Sequence, residues 1–339
     1  MLSDTLVEQI LSALPNRRIG VLGDLFLDRY LDLDSSLTEP SIETGLDAYQ
    51  VVCVRSYPGA LGTVINNLAA LGVGTIRPVA IIGDDGEGYE LRQALAKLPA
   101  VNCGCAIAWE GRRTPTYTKP MLMKHGEVPR ELNRLDIKNR TRTPKGAEDR
   151  IIELLESEWD QVDAWIVLDQ VSEVDSGVVT GRVRTRLAKL AADDPARFVL
   201  ADSRELIREF QSVCVKPNER EASMFPGGAS SFAKSLGRHV FQTRGEQGID
   251  LFDSTGAQTR IPAYPVSGPT DIVGAGDSTS AGIACAVMAG ATIEQAAAFG
   301  NLVASITIQQ LGVTGTASPE QVRQRWRDCA LAKDSDRSL

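Results

Sequence analysis

The stretch that decides the fold is Gly268-Pro269-Thr270-Asp271-Ile272-Val273-Gly274-Ala275-Gly276-Asp277-Ser278, which runs into a small, apolar segment at residues 279–289 that predicts a buried helix. Glycines that lead into a helix start form an anion site, because the first backbone N–H groups have no partner within the helix and the helix dipole favours negative charge. Glycine also lets a phosphate approach the main chain. The loop therefore predicts a phosphate-binding helix N-terminus.

Asp277 is an unexpected residue at the end of such a loop, since a carboxylate repels a phosphate. Its presence is explained if it takes a proton from a hydroxyl that attacks the phosphorus, as the general base of a phosphoryl transfer does. The alternative is structural, because acidic residues are favoured in the first turn of any helix. The loop by itself leaves both interpretations open.

The pattern Asp271-x-x-Gly274-Ala275-Gly276-Asp277, followed by a helix of small residues, resembles the C-terminal signature of the ribokinase-like (PfkB) sugar kinases. The resemblance implies that Asp277 is the catalytic base and that the Gly-Ala-Gly amides form the anion hole. It also implies that the chain uses ATP and Mg²⁺, and it leaves open whether a monovalent cation is needed.

The same resemblance implies the fold. We expect an α/β protein, a three-layer αβα arrangement with a mostly parallel central sheet and a small β-sheet lid. The kinase domain is expected to span residues 1–339 as a single domain, with lid strands within about 29–57 and 101–125. In the family the lid covers the sugar and often forms the contact of a homodimer.

The composition is that of an ordinary globular protein, with 43% hydrophobic and 24% charged residues. No apolar run approaches the roughly 18 residues that a membrane span needs. The N-terminus carries acids and lacks the basic region of a secretory signal, so we expect a cytoplasmic protein without a membrane partner. A net charge of -8 argues against a nucleic-acid partner, because such binding neutralises phosphates with lysine and arginine.

Residues 17–24 predict a short buried strand of a parallel sheet, and Asp24 and Asp28 follow at its carboxyl end. Ligands of open α/β sheets bind outside the carboxyl ends of the strands, and carboxylates accept hydrogen bonds from a polyol. The alternative is that Asp24 caps a turn and Asp28 is solvated. Gly23-Asp24-x-x-x-Asp28 resembles the sugar-binding opening of these kinases, which implies that Asp28 holds substrate hydroxyls.

Residues 59–72 predict a helix beside the sheet. The segment resembles the N-terminal signature of the family, which implies substrate contacts from Gly59, Thr63 and Asn67. The match is imperfect, because Ala60 replaces the usual second glycine and Thr63 replaces the usual sugar-binding asparagine. The sequence therefore defines the substrate less well than the reaction.

The expected lid carries a cluster of cations in an otherwise acidic protein, comprising Arg112, Arg113, Lys119, Lys124, Arg130 and Arg134. The cluster is either a solvated face or a pocket for a substrate phosphate, with Lys119 and Arg134 as the clamp. Residues 114–119 and 133–136 are most similar to the heptose 7-phosphate kinase branch, whose bacterial members often carry a nucleotidyltransferase domain. At 339 residues we expect the kinase domain alone.

From residue 147 onward, helical and strand-like segments alternate, which predicts parallel βαβ units. Lys216-Pro217-Asn218-Glu219-Arg220-Glu221 follows a strand and opens a helix, with Asn218 as its cap. In the family this Asn-x-x-Glu governs the magnesium ion, mostly through water, which suits a cation that keeps several waters. The motif alone predicts only a helix cap.

Two further turns complete the expected nucleotide site. Thr243-Arg244-Gly245-Glu246-Gln247-Gly248 resembles the turn that runs under the ATP phosphates and ribose in the family, and it is equally compatible with a hairpin. Asn301, in an amphipathic segment at 293–310, and Gly312 resemble the adenine wall.

These patterns predict an ATP-dependent sugar kinase whose acceptor is a hydroxyl of a sugar or sugar phosphate, with heptose 7-phosphate as one candidate. A free sugar or a nucleoside is the alternative acceptor. A non-catalytic sugar or nucleotide sensor on the same fold is a third possibility. Asp277 and the intact Gly-Ala-Gly oppose it, but it stays open because Thr63 departs from the family signature and Gln170 departs from the heptose kinases.

Overall fold

The computed structural model describes residues 2–124 and 126–337, with the backbone alone for residues 332–337. The strands are, in chain order, β1 (Arg18–Gly23), β2 (Leu25–Pro40), β3 (Asp47–Ala60), β4 (Thr75–Gly83), β5 (Ala106–Trp109), β6 (Thr116–Met123), β7 (Arg130–Glu131), β8 (Leu135–Ile137), β9 (Ala164–Asp169), β10 (Phe198–Ser203), β11 (Cys214–Val215), β12 (Val240–Thr243), β13 (Ile249–Phe252) and β14 (Gln258–Ile261). The helices are α1 (Asp4–Ala13), α2 (Leu61–Ala70), α3 (Gly86–Ala96), α4 (Lys145–Glu158), α5 (Gly181–Asp193), α6 (Glu219–Ala222), α7 (Gly228–Leu236), α8 (Ala275–Met288), α9 (Ile293–Thr307) and α10 (Pro319–Arg337).

The central sheet has the order β14-β13-β12-β11-β10-β9-β1-β4-β5. Its strands from β5 to β12 pair in parallel, and β13 and β14 extend it in the antiparallel sense. The expectation of a mostly parallel sheet is therefore confirmed.

Helices cover both faces of this sheet, which is why its inner strands are apolar on both sides. In β1, Ile19 and Val21 belong to one hydrophobic core and Leu22 to the other. The first core also contains α1, α2, α8 and α9, whereas α4, α5 and α7 contribute to the second. The result is the expected three-layer αβα arrangement.

The chain order reverses between β1 and β9, because β4 and β5 extend the sheet on one side of β1 and β9 to β12 extend it on the other. A crevice forms at the carboxyl ends of strands where the order reverses, and such crevices bind ligands. Polar side chains follow or end these strands: Asp24 after β1, Asp169 in β9, Asp202 in β10 and Lys216 after β11. The fold thus brings charged groups from distant parts of the chain to one edge.

A second sheet, which we call the lid, has the order β3-β2-β6-β7, with β8 paired to β6. One expected lid segment lies elsewhere. Residues 101–109 were predicted to join the lid, but β5 pairs in parallel with β4 at the edge of the central sheet, and Val101 bridges Ile76. After α3 the chain returns to the open edge of β4, where β5 satisfies backbone groups that would otherwise be unpaired. Residue 125, the last of the expected lid range, lies outside the described residues.

Helix α5 begins at Gly181, because Thr180 caps it by accepting a hydrogen bond from the Val183 amide. Within the described part of the chain, no helix combines the length and the apolar character that crossing a bilayer requires.

Candidate active site

The expected anion hole corresponds to the N-terminus of α8. Gly274 caps this helix with φ of 79°, in the left-handed region that favours glycine, and a Cβ there would lie 2.6 Å from Cγ2 of Thr314. The amide of Ala275 donates to the carbonyl of Ile272 at 3.1 Å. The N–H groups of the following residues, Gly276 and Asp277, are in the first helical turn and have no carbonyl partner within the helix.

Asp271 fixes the loop that precedes this helix. Its carboxylate accepts hydrogen bonds from the amides of Val273 at 3.1 Å and Gly312 at 3.2 Å, and its own amide donates to the carbonyl of Ile308 at 2.8 Å. Gly312 therefore contacts the central loop, and it does not line the nucleotide cavity described below. Its expected place in an adenine wall remains a prediction.

Asp277 is half-buried next to three charged side chains. Burial and the nearby Asp202 carboxylate raise the pKa of Asp277 to about 7, while Lys216 and Arg204 act in the opposite direction. A general base works best when its pKa lies near the working pH. The surroundings of Asp277 thus favour the catalytic interpretation over a simple acidic residue in a first helical turn.

Lys216 is a functional candidate to which the sequence analysis gave no role. Its side chain is buried, its Nζ lies 2.7 Å from Oδ2 of Asp202, and a Cβ built on Gly276 would lie 3.4 Å from that Nζ. Burial alone would lower the pKa of Lys216, but the Asp202 carboxylate, with smaller contributions from Asp277 and Glu221, raises it. The ammonium group is charged beside the anion hole. Its position directly after a buried strand was a signal that could have identified it.

Asn218 and Glu221 form a complete capping box at α6. The Asn218 side chain accepts from the Glu221 amide at 2.9 Å, and the Glu221 carboxylate accepts from the Asn218 amide and side chain, each at 2.8 Å. Burial raises the pKa of Glu221. The structural interpretation of the motif is therefore correct, and the metal interpretation remains a prediction.

The residues fit a magnesium ion held through water. Both carboxylate oxygens of Glu221 already accept hydrogen bonds, and the part of the chain that the structure describes contains no group of three His, Cys, Asp or Glu side chains placed to hold a metal ion. Mg²⁺ prefers oxygen donors and keeps several of its waters. Glu221 and Asp202, at the same cavity, could accept hydrogen bonds from those waters.

A cavity of about 1040 Å³ opens beside these groups. It is large enough for a nucleoside triphosphate, since drug-sized ligands occupy pockets of about 300–1,000 Å³. Its walls bring together most of the residues that were predicted to bind nucleotide or phosphate, namely Asn218, Glu221, Thr243, Gly245, Gly248, Gly274, Ala275, Gly276, Asp277 and Asn301. The Thr243–Gly248 turn is also the predicted hairpin, because β12 and β13 pair antiparallel.

Asp28 lies on the lid in a pocket shaped by a glycine. A Cβ on Gly59 would lie 2.6 Å from Oδ2 of Asp28, so glycine makes room for the carboxylate. Burial raises the pKa of Asp28, and Lys119 and Arg134 oppose this. Nζ of Lys119 lies 3.9 Å from Oδ1 of Asp28 and donates to the Tyr30 hydroxyl at 3.1 Å.

Arg134, the other half of the expected phosphate clamp, already has a partner. Its guanidinium donates to both carboxylate oxygens of Asp136, at 2.7 and 2.9 Å, and lies 4.3 Å from the centre of the Tyr117 ring. A phosphate could meet this guanidinium only by competing with Asp136. The assignment of Arg134 to a clamp remains a prediction, and the structure gives it a competitor.

Asp24 is buried and fixes a loop. One oxygen accepts from the Val178 amide at 2.7 Å, and the other accepts from the amides of Gln170 and Val171 at 2.9 and 3.2 Å. Burial raises the pKa of Asp24, and these three hydrogen bonds oppose the shift. With three bonds already accepted, Asp24 has little capacity for a polyol, so its geometry favours the turn-capping alternative.

Thr63 and Asn67 are also buried. A Cβ on Gly274 would lie 3.3 Å from Cγ2 of Thr63, which places Thr63 against the central loop. The amide group of Asn67 donates to the Thr63 carbonyl at 2.9 Å, and neither residue lines either of the two cavities described here. Their expected substrate contacts remain untested predictions.

The arrangement defines a class of protein. A helix N-terminus, a buried lysine and a carboxylate of near-neutral pKa meet at the carboxyl edge of a parallel sheet, and a polar lid that carries the Asp28 carboxylate belongs to the same fold. This combination is that of a phosphotransferase with an alcohol group as acceptor.

The family model of the pfkB family carbohydrate kinases matches residues 26–321. The chain belongs to this family, and it is a carbohydrate kinase. The resemblance found in the sequence is thereby confirmed.

Two curated relatives are named bifunctional protein HldE. The protein from Pelobacter propionicus is 29% identical over 334 residues, which are 93% of this chain and 64% of the relative. The protein from Trichlorobacter lovleyi is 26% identical over 330 residues, which are 94% of this chain and 64% of the relative. The chain thus spans less than two thirds of the length of these relatives.

Solved structures share the fold. Arabidopsis thaliana ribokinase complexed with ribose and ATP aligns with a TM-score of 0.64 at 16% identity, over 91% of this chain and 98% of that one. A putative ribokinase II from E. coli in complex with ATP and Mg²⁺ aligns with a TM-score of 0.64 at 14% identity, over 92% and 99%. At these identities the comparison establishes the ribokinase-like fold alone.

Proposed function

We propose that this carbohydrate kinase transfers the γ-phosphate of ATP to a hydroxyl of a sugar phosphate. One observation carries the proposal: Asp277, with a pKa raised to about 7, stands in the first turn of α8 beside the anion-hole amides and at a cavity of nucleotide size. A carboxylate in that position can accept a proton from the attacking hydroxyl.

The surrounding residues stabilise charge, orient the acceptor and hold the metal ion. The amides after Gly274 and the Lys216 ammonium stabilise negative charge on the transferring group, because they are fixed donors in a buried site. Asp28 accepts hydrogen bonds from sugar hydroxyls and Lys119 donates to them, which orients the acceptor. Glu221 and Asn218 would hold Mg²⁺ through water, and a bound Mg²⁺ neutralises charge on the nucleotide phosphates.

We propose a heptose 7-phosphate as the leading acceptor. Its support is the resemblance of residues 114–119 and 133–136 to the heptose 7-phosphate kinases, together with similarity to the HldE proteins over more than nine tenths of this chain. Because the match covers only 64% of those relatives, any activity of their remaining third is outside the proposal.

A free sugar or nucleoside is the second candidate, and a specific observation favours it. Lys119 and Arg134 already contact Asp28 and Asp136, so the two cations first expected to bind a substrate phosphate are neutralised within the lid. The same kinase chemistry would then act on an uncharged acceptor.

We also propose that two copies pair through the lid, and that the residues described here form one kinase domain. β3 is a 14-residue edge strand, and Val51, Val52 and Val54 on it are 46%, 56% and 56% exposed. Long exposed edges with apolar residues favour pairing with another chain. Light scattering of the purified protein tests this, and a monomer at micromolar concentration would contradict it.

The test of the function is ATP turnover against a panel of sugars, sugar phosphates and nucleosides, with the product identified by mass. A sugar phosphate that gains one phosphate supports the first candidate. Turnover confined to free sugars or nucleosides supports the second. Tight binding of panel members and ATP without any turnover would contradict a kinase and indicate a sensor.

A further inference from the structure

A second, smaller cavity lies between the central sheet and the lid. Its lining includes Phe26 and Tyr117, whose rings pack edge to face at 5.2 Å, and four cations, Arg112, Arg113, Lys138 and Arg204. Its volume is about 40 Å³. This exceeds the roughly 10–15 Å³ that a single water needs, so the cavity has room for a small polar group.

Two of the four cations are already satisfied. The Arg112 guanidinium donates to the carbonyls of Thr141 and Ser176, and Arg113 forms ion pairs with Glu87 at 2.8 Å and Asp85 at 3.3 Å. These contacts fix the wall of the cavity and leave these two side chains little to offer a ligand.

The other two cations have no acidic partner. Within residues 2–124 and 126–331, no carboxylate oxygen lies within 4.0 Å of the charged groups of Lys138 or Arg204, although most other cations of the lid are paired. Nζ of Lys138 lies 6.0 Å from the centre of the Tyr117 ring, and Arg204 lowers the pKa of the same tyrosine against a larger effect of burial. Lys138 and Arg204 therefore line one space from two different connections, those that follow β8 and β10.

Neither of the carboxylates that line this cavity forms an ion pair with the two cations. The carboxylate oxygens of Asp24 accept hydrogen bonds from three backbone N–H groups. Glu173, which also lines the cavity, forms no ion pair with any residue that the structure describes. An anion with several oxygens would supply the missing charge, and a phosphate can accept from arginine in a two-pronged manner and from lysine as a point charge.

The cavity is connected with the reaction site. Gln170 and Arg204 line both this cavity and the larger one that contains Asp277. A molecule with a reacting hydroxyl at Asp277 and a second charged end could therefore lie across this shared wall.

We propose that Lys138 and Arg204 bind the phosphate group that the sugar substrate already carries, in the cavity beside Tyr117. The proposal rests on the proposed kinase function and assigns the specificity for a phosphorylated acceptor to this pair. It moves the phosphate away from Lys119 and Arg134, which have partners of their own.

The first test compares kinetics on matched substrates, a phosphorylated sugar accepted in the panel and its unphosphorylated parent. Lys138→Met is expected to raise KM for the phosphorylated sugar tenfold or more, with kcat and the KM for the parent little changed. Lys138→Arg should restore most of the affinity, because it keeps the charge. Arg140→Met is the matched control, since Arg140 is an exposed cation two residues away that lines neither cavity, and it should change nothing.

The second test does not depend on turnover. Calorimetric binding of the same phosphorylated sugar, or of glucose 6-phosphate if the panel yields no substrate, is measured in the Asp277→Asn background with and without Lys138→Met. A tenfold loss of affinity for the phosphorylated compound, absent for its parent, supports the site even if the proposed kinase reaction fails.

Two results would overturn the inference. One is an equal effect of Lys138→Met on the phosphorylated and parent sugars. The other is a phosphate-specific loss in Arg134→Gln that Lys138→Met does not reproduce, which would return the phosphate to the lid clamp. Melting temperatures of all variants establish that each is folded.

Discussion

The carboxyl edge of the central sheet and the lid differ in how their charged side chains are balanced. At the edge, the acids Asp277, Asp202 and Glu221 lie around one buried cation, Lys216. Burial, together with the negative charge of Asp202, raises the pKa of Asp277 to about 7. In the lid, Arg55 pairs with Asp32 at 2.7 Å and Arg134 pairs with Asp136 at 2.7 Å.

The difference indicates where chemistry and recognition are located. An excess of one charge in a buried site is costly, and it persists here because rigid strands and helix ends hold the groups in place. Paired charges at a half-exposed surface cost little and can exchange partners when a substrate arrives. We therefore expect changes at the sheet edge to alter turnover, and changes in the lid to alter substrate affinity.

The largest expected effect is on the edge. Asp277→Asn should lower kcat by about 10²–10⁴, because the amide keeps the shape but cannot accept the proton. ATP binding should change little. At pH 8 the variant should unfold at no lower temperature than the wild type, since it removes a half-buried acid whose pKa is raised. Turnover within a few-fold of wild type would mean that Asp277 is not the base.

Asp24 and Asp28 are close in sequence but have different expected roles, so replacing each one tests the comparison directly. Asp24→Asn should destabilise the protein by about 2–3 kcal/mol, because the amide places a donor against backbone N–H groups. Asp28→Asn should instead raise the KM for the sugar roughly tenfold with little change in stability. Urea unfolding and steady-state kinetics on both variants test this, and the distinction fails if Asp28→Asn is as unstable as Asp24→Asn.

A smaller effect is expected from changing Glu221, one of the residues proposed to hold Mg²⁺ through water. Glu221→Gln should raise the Mg²⁺ concentration for half-maximal rate roughly tenfold, because removing a group that orients metal-bound water typically costs about 10–100-fold in affinity. The KM for the sugar should stay nearly constant. An unchanged Mg²⁺ titration would leave Glu221 as a helix cap only.

The pH dependence of kcat/KM tests whether the neighbouring negative charge of Asp202 raises the pKa of Asp277. Asp277 must be deprotonated to act as a base, so kcat/KM should rise with pH, reach half its maximum near pH 7 and level off at higher pH. Asp202→Asn removes a neighbouring negative charge and frees Lys216 to interact with Asp277, and both changes lower the pKa of Asp277. The rising limb should therefore move to lower pH in Asp202→Asn, and a limb that stays in place would exclude this coupling.

The smallest effect is expected where the lid joins α2. Ala60 has φ of 51° and ψ of -115°, an unfavourable conformation for a residue with a Cβ. Ala60→Gly should stabilise the protein by about 1 kcal/mol, after the entropy that glycine adds to the unfolded chain is subtracted. Thermal unfolding measures this. A melting temperature below that of wild type would show that the backbone of Ala60 is not strained.

The signals that succeeded in the sequence are local. The glycine loop and its helix, the buried strands and the Asn218 cap each depend on residues within a few positions of one another, and the structure has them where the sequence placed them. The assignment of residues 101–109 to the lid failed because a short strand carries no information about which sheet it joins. Lys216 and Arg204 were given no role because their significance depends on partners elsewhere in the chain.

The sequence by itself determined the family, the parallel sheet and the position of the expected base, because contiguous apolar runs and helix-start signals act over short distances. Only the tertiary structure decided which charges are neutralised. The carboxylate of Asp24 meets an amide 154 residues away at Val178, and Lys138 and Arg204 meet at one cavity although they follow different strands, β8 and β10. Such pairings depend on how the strands are ordered in the sheet, and strand order is set by packing of the whole chain.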